Sequence, residues 1–385
     1  MSKRLGIAAS ILAIAVSLAA CTTGGTPATG SGSGSKEIYY STKNSTEPVH
    51  VAMANGVVNA ATLLGYEGKV TVAEADAAKQ NDQLNNLVQN IQPAALVVNP
   101  YDSDSVADVL GRAKQANIPV AVIDNKANNA QVDVSVLFDS VKSGQIAGEK
   151  AVELLKEKNG SETGVVVNLY GEVVSQVFKE RSQGFEEVIK RYPNIELVSV
   201  LGAPQADKAT SALNNVIADL KSSGKKVDVV NTPTDTATLG VIESLKTNGM
   251  WHKVGQPDHV AVISHDGLGD ILTQVKDGYI DAEVVIDVFG VGGIATEVLK
   301  AYPMDGKAVP TSGTFTPQGK YLNTSVTFTQ GDSGPTIMLD PVLVTAAEAY
   351  PALERAFLSA ESEIIAGFRV FDLKTRLRSA EGRAV

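Results

Sequence analysis

Polar and charged side chains gather where apolar runs end: Asn99-Pro100-Tyr101-Asp102-Ser103-Asp104, Asp124-Asn125, Asp139-Ser140, Glu172, Arg181, Thr234-Asp235 and His265-Asp266-Gly267. Carboxylates and amides accept hydrogen bonds, and a guanidinium donates a fork of them. Together such groups pair with vicinal hydroxyls two at a time, so the chemistry they suggest is recognition of a polyol. Catalytic patterns are missing. The four histidines (His50, His252, His259, His265) stand in no HExxH spacing, and there is no phosphate loop or nucleophile elbow. The single cysteine, Cys21, excludes a disulfide framework and a thiolate metal site. No metal, cofactor or enzymatic activity is expected. A hydrolase using Asp124 and Asp266 as an acid and base pair has no further motif behind it.

Each residue also has a plainer structural reading. Asp102 or Ser103 reads as an N-cap of the apolar stripe that opens at Val106. Asp139 reads as a cap after a crossing segment, and Asp235, ahead of Leu239 and Val241, as a cap or a ligand residue. Arg181, within Lys179-Glu180-Arg181 on an amphipathic helix, reads by spacing alone as part of a solvated face. His265, after an apolar strand, reads equally as an interior histidine.

The elements that must position these residues alternate strand and helix. Val49, Met53, Val57, Ala60 and Leu64 repeat at helical spacing before Gly65, and apolar stripes precede the strands Ala95–Val98 and Pro119–Ile123. The pattern restarts after Asp139, with strands at Val165–Leu169, Leu197–Leu201, Val227–Val230, Val260–Ile263 and Ala282–Ile286. Alternation of this kind makes parallel sheets covered by helices. Two runs of it predict an α/β fold of two lobes, with ligands beyond the carboxyl ends of the strands.

Composition agrees with a globular body: 385 residues, 44% hydrophobic and 20% charged. With 43 acidic against 33 basic side chains the net charge is -10, which argues against a nucleic-acid partner. Lys3 and Arg4 precede an apolar run, Leu5 to Ala20, too short for an ordinary membrane span and suited to an export signal. It ends in Ser17-Leu18-Ala19-Ala20-Cys21, which resembles a bacterial lipobox, with Cys21 as the lipidated residue. Thr22 to Ser35 is a flexible Gly, Ser and Thr linker. The expected location is the cell envelope, on the periplasmic or outer face of the cytoplasmic membrane.

The runs Leu96 to Asp104, Ala116 to Asp124, Phe138 to Gly148, Glu180 to Phe185, Asp235 to Gly240 and His265 to Gly267 jointly resemble the ribose-type periplasmic sugar-binding proteins of ABC transporters. The resemblance spans about residues 37–300. It implies a type I periplasmic-binding fold: two Rossmann-like lobes with parallel sheets joined by three crossing segments. It places a leader at 1–20, the linker at 21–35, the first lobe at 36–138 plus 287–320, the second at 139–286 plus 321–350, and a helical tail at 351–385.

By that resemblance Asn99, Asp124, Arg181 and Asp266 fall on ligand-binding positions, and Arg181 becomes functional rather than solvated. The chain departs from the pattern at Glu47-Pro48-Val49-His50, Asn125, Thr234, His265 and Ile286, so the ligand is a hydroxylated molecule for which ribose itself is a poor fit. The implied partners are a sugar or polyol, an ABC permease and, through lipid on Cys21, the membrane. The protein is expected to be a monomer. A sugar-sensing role toward a chemoreceptor or sensor kinase would use the same pocket.

Overall fold

The computed structural model describes residues 35–202 and 204–347. Cys21, the leader, all but the last residue of the linker, and the tail 351–385 lie outside the described residues.

Buried β-branched runs form the strands, and segments of helical period cover them. The first run comprises β1 (Glu37–Thr42), α1 (Pro48–Leu63), β2 (Glu67–Val72), α2 (Ala77–Asn86), β3 (Ala95–Val98), α3 (Ala107–Gln115), β4 (Val120–Asp124) and β5 (Val134–Phe138). The second comprises α4 (Ser140–Asn159), β6 (Gly164–Tyr170), α5 (Gln176–Ile189), β7 (Ile195–Leu201), α6 (Ala206–Ser222), β8 (Val229–Asn231), α7 (Asp235–Thr247), β9 (Ala261–Asp266), α8 (Gly269–Lys276) and β10 (Ala282–Val285). Then follow α9 (Gly290–Ala301), β11 (Thr314–Phe315), β12 (Val326–Gly331), β13 (Gly334–Leu339) and β14 (Val342–Val344).

The strands form two sheets, in the orders β11-β12-β13-β5-β4-β3-β1-β2 and β14-β10-β9-β8-β6-β7. In the first, β2 through β13 run parallel, and β12 alone is reversed, pairing antiparallel with both β13 and β11. In the second, only β14 is antiparallel. The chain passes between the sheets at Asp139, after β10 near Ile286, and at 340–341. The last passage corrects the assignment of 321–350 to the second lobe. Strands β12 and β13 pair into the first sheet through β5, and β14 alone joins the second. Antiparallel hairpin strands carry no helix between them, so periodicity could not say which sheet they extend.

The two lobes repeat one another. Matching the sheet orders makes β1 equivalent to β6, β3 to β8, β4 to β9 and β5 to β10. Each lobe also has a helix pair whose backbones touch at glycines. A methyl group on Gly144 of α4 would overlap the carbonyl oxygen of Arg181 on α5, and one on Gly184 would overlap that of Val141. In the first lobe, Gly56 of α1 meets the Phe289 carbonyl, and Gly292 of α9 meets that of Met53. By this match Arg181 and Met53 occupy equivalent positions, three residues before Gly184 and Gly56.

Candidate functional site

Asp124 and Asp266 are the last residues of the equivalent strands β4 and β9. Both have positive φ, 60° and 118°. For a residue with a side chain such backbone costs on the order of 1–3 kcal/mol and persists where the surroundings hold it.

On the first-lobe wall, Asp124 Oδ2 accepts hydrogen bonds from Lys43 Nζ at 2.9 Å and Asn99 Nδ2 at 3.0 Å. Lys43 directly follows β1, and its carbonyl accepts the Ala75 N–H at 2.9 Å, which fixes its backbone. Asn99 is held by buried Gln80, whose Nε2 donates to the Asn99 carbonyl and whose Oε1 accepts from the Tyr101 N–H. Burial would raise the Asp124 carboxyl, but Lys43 holds it below the usual carboxylate range. His50 Nε2 lies 3.6 Å from Glu47 Oε2. Burial first, and then the Lys43 charge, push the His50 imidazole down to about 3, so it is neutral. Glu47 accepts from Asn44 Nδ2 at 2.9 Å, and burial raises its carboxyl.

On the second-lobe wall, buried Arg181 of α5 donates from Nη1 to the Pro233 carbonyl, and Nη1 lies 3.5 Å from Asp266 Oδ1. Burial raises Asp266 well above the usual range despite Arg181, and the charges of Asp235 and Asp124 add to the rise. Asp235 accepts from Ser264 Oγ at 2.7 Å and from the N–H groups of Gly267 and Leu268 at 3.1 and 2.6 Å. Burial pushes it up to about 6. Behind it, Glu283 of β10 accepts the Gly267 N–H at 2.9 Å through Oε1. Its Oε2 has no donor, and burial with the Asp235 charge raises its carboxyl well above the usual range. A proton on Glu283 can be donated to Asp235, which satisfies both groups. His265 Nδ1 lies 2.8 Å from the Thr232 carbonyl, so this nitrogen carries the proton, and burial keeps the ring neutral.

The walls are tied together. Asn125 of the first lobe accepts from the N–H groups of Gln176 and Val177 at 3.0 and 3.3 Å, capping α5, while its Nδ2 donates to the Pro100 carbonyl. Lys126 pairs with Glu180, and burial together with the nearby Glu172 charge raises the Tyr101 hydroxyl. Buried between the walls, His50 Nδ1, Asn99 Oδ1 and Arg181 Nε have no hydrogen-bond partner.

The structure therefore brings Glu47, His50, Asn99, Asp124, Arg181, His265 and Asp266 together. It engages three other candidates elsewhere. Asn125 caps α5, Asp235 braces the Gly267 turn, and Thr234, rather than Asp235, caps α7 by accepting the Ala237 N–H at 3.1 Å. Asp139 caps α4 through the Lys142 N–H. Asp102 and Ser103 do not cap α3, whose first turn has no side-chain cap. Asp102 Oδ1 instead accepts from the N–H groups of Asp104 and Ser105 and shapes the turn before it. Lys43, Gln80 and Glu283 escaped sequence reasoning. Lys43 stands at a strand's carboxyl end and was open to the positional rule that found the others. Gln80 and Glu283 lie on elements whose sequence spacing carries no sign of their contacts.

Among the described residues no helix is long and apolar enough to cross a membrane, and no side-chain cluster is suited to a metal ion. The ribose import binding protein of Escherichia coli (strain K12) is 29% identical over 272 residues, 68% of this chain and 86% of that protein. The galactofuranose-binding protein of the same organism is 29% identical over 260 residues, covering 66% and 78%. These relatives are binding proteins, not enzymes. A solved galactofuranose binding protein superposes with a TM-score of 0.69 at 24% identity, covering 84% of this chain and 99% of its own. The Caulobacter myo-inositol binding protein, solved with myo-inositol, superposes at 0.68 with 19% identity, covering 84% and 97%. Both share this fold. The profile of the periplasmic binding protein domain matches residues 38–308, well over half of the sequence, and the chain belongs to that family.

Proposed function

We propose that this protein captures a small sugar or polyol between its lobes and delivers it to an ABC importer, held at the extracytoplasmic face of the membrane by lipid on Cys21. The observation that carries the reading is the set of unpartnered buried groups between the walls: His50 Nδ1 and Asn99 Oδ1 from one, Arg181 Nε from the other. Each costs about 1–3 kcal/mol while unpaired, and hydroxyls, which both donate and accept, are suited to all three. Relatives named for ribose import and galactofuranose binding support the same class. In this reading Asn99, Asp124, Arg181 and Asp266 contact the ligand, Glu47, His50 and His265 select it, and Asn125, Thr234 and Asp235 hold the frame. A ligand touching both walls favours their approach.

A thermal-shift screen against pentoses, hexoses and polyols tests the reading. At 100 times its Kd a ligand stabilises by about 2.7 kcal/mol, so at least one sugar should raise Tm by several degrees. A flat response across the panel contradicts the proposal. The anchor is tested separately, since two acyl chains give lasting membrane residence. Cys21→Ser should move the protein out of the membrane fraction, and retention there after a high-salt wash would remove the anchor.

A further inference from the structure

We infer that Asn125 is a positioning residue for ligand capture: from the first lobe its side chain caps α5, the second-lobe helix that carries Arg181, and so latches the crevice shut. The inference rests on the sugar-binding reading and adds to it a latch that touches no ligand atom. α5 has no side-chain cap of its own, since Ser175 makes no such bond. The acceptor comes from the opposite lobe, where Asn125 Oδ1 takes the N–H groups of Gln176 at 3.0 Å and Val177 at 3.3 Å. Asn125 is fully buried, and its Nδ2 donates to the Pro100 carbonyl at 2.9 Å, so its own wall aims the amide at the other. Lys126 and Glu180 pair beside it. When the lobes part, water must replace the cap, and a cap of this kind favours the joined walls by about threefold to thirtyfold.

The repeat within the fold shows that this contact is no part of the shared scaffold. Gly184 of α5 and Gly56 of α1 are equivalent, and eight residues before them stand Gln176 and Pro48, the first residues of the two helices. A proline at the first helical position has no N–H to satisfy, so α1 needs no acceptor there. α5 keeps its N–H and presents it to the other lobe. The second-lobe equivalent of Asn125, the residue after β9, is Gly267, which has no side chain to return the contact. The latch therefore runs one way, with its acceptor in the first lobe and its donors in the second.

The test uses the full-length protein with D-ribose, L-arabinose, D-galactose and myo-inositol as probes, and the monodeoxy analogues of whichever binds best. Asn125→Ala should weaken every probe and analogue that wild type binds by at least threefold, and by factors within threefold of one another, because the latch is lost whatever the ligand. Gln176→Pro places in α5 the residue that opens α1, which keeps the helix start and removes the bonded N–H, and it should do the same. The double variant should bind within threefold of Asn125→Ala, since both changes remove one contact. Three results each overturn the inference and leave the sugar-binding reading standing: a folded single variant that loses less than threefold, losses that differ by more than threefold between parent and analogue, or a double variant more than threefold weaker than Asn125→Ala. Wild type that binds none of the probes overturns both.

Discussion

Asp124 and Asp266 hold the same place in two halves of one fold: each ends an equivalent strand with positive φ, is buried, and faces the other across the crevice. Yet their carboxyls are pushed in opposite directions, Asp124 down and Asp266 up. The difference lies in the neighbours. Asp124 has an ammonium at 2.9 Å and a buried imidazole kept neutral beside it. Asp266 has a guanidinium at 3.5 Å that also serves the Pro233 carbonyl, with Asp235 and Glu283 crowded behind it. The scaffold supplies the carboxylate, and what stands around it decides its charge.

Among the most damaging changes should be those at the glycines that both lobes share. Gly184→Ala and Gly56→Ala each force a methyl group into a backbone carbonyl of the facing helix. Each should cost about 3 kcal/mol, read as a Tm loss of ~6 °C or more. A variant that melts with wild type would show that the two helix pairs are not equivalent.

Of similar size is the contrast between the two cations. Lys43→Met leaves an ionised buried Asp124 and should cost about 3–5 kcal/mol in urea unfolding. Arg181→Met leaves an Asp266 already disposed to protonation and should cost less than half as much. The reverse ranking would break the comparison. The affinity effect of Arg181→Met should nevertheless be at least tenfold, because a charge-assisted bond to the ligand is worth about 1.5–3 kcal/mol.

The acid cluster gives a smaller effect with a definite sign. Glu283 has its carboxyl raised in the folded state, so its stabilising contribution is complete below the unfolded value of about 4.3 and is lost as pH rises toward the folded one. Glu283→Gln imitates the protonated form and does not titrate. Relative to wild type it should therefore gain stability as pH is raised from about 4.3 to 7, by up to about 1.4 kcal/mol per unit. A Tm difference that stays flat over that range would mean Glu283 ionises as freely in the folded state as in the unfolded chain. Asp102→Ala should have the least effect, lowering stability by about 1 kcal/mol through its turn and leaving affinity within twofold. A larger affinity loss would put Asp102 in the crevice.

Much of this frame was legible in the sequence, because helical and alternating periods are set by which faces are buried, and strand ends could be searched for polar residues. Asn99, Asp124 and Asp266 stand out that way, whereas Arg181, inside α5, read by spacing as a solvated residue and was singled out only by the family resemblance. The charge states of Asp124 and Asp266 were not legible, since they depend on burial and on Lys43, Arg181 and Asp235 arriving from distant parts of the chain. Asp235 and Thr234 show the limit most plainly. Adjacent cap-forming residues are indistinguishable by spacing, and only the hydrogen bonds show that Thr234 caps α7 while Asp235 turns inward to Ser264 and Gly267. The last strands were equally opaque, because only two residues separate β13 from β14 and the two belong to different sheets.

The most direct test is calorimetric titration of the sugar that gives the largest thermal shift into wild type, Asp124→Ala and Asp266→Ala. If both walls hold one ligand, wild type binds a single equivalent and each substitution weakens it at least tenfold, although the two aspartates lie in different lobes. If either substitution binds the sugar as wild type does, the ligand is not gripped between Asp124 and Asp266, and the two-walled site is wrong.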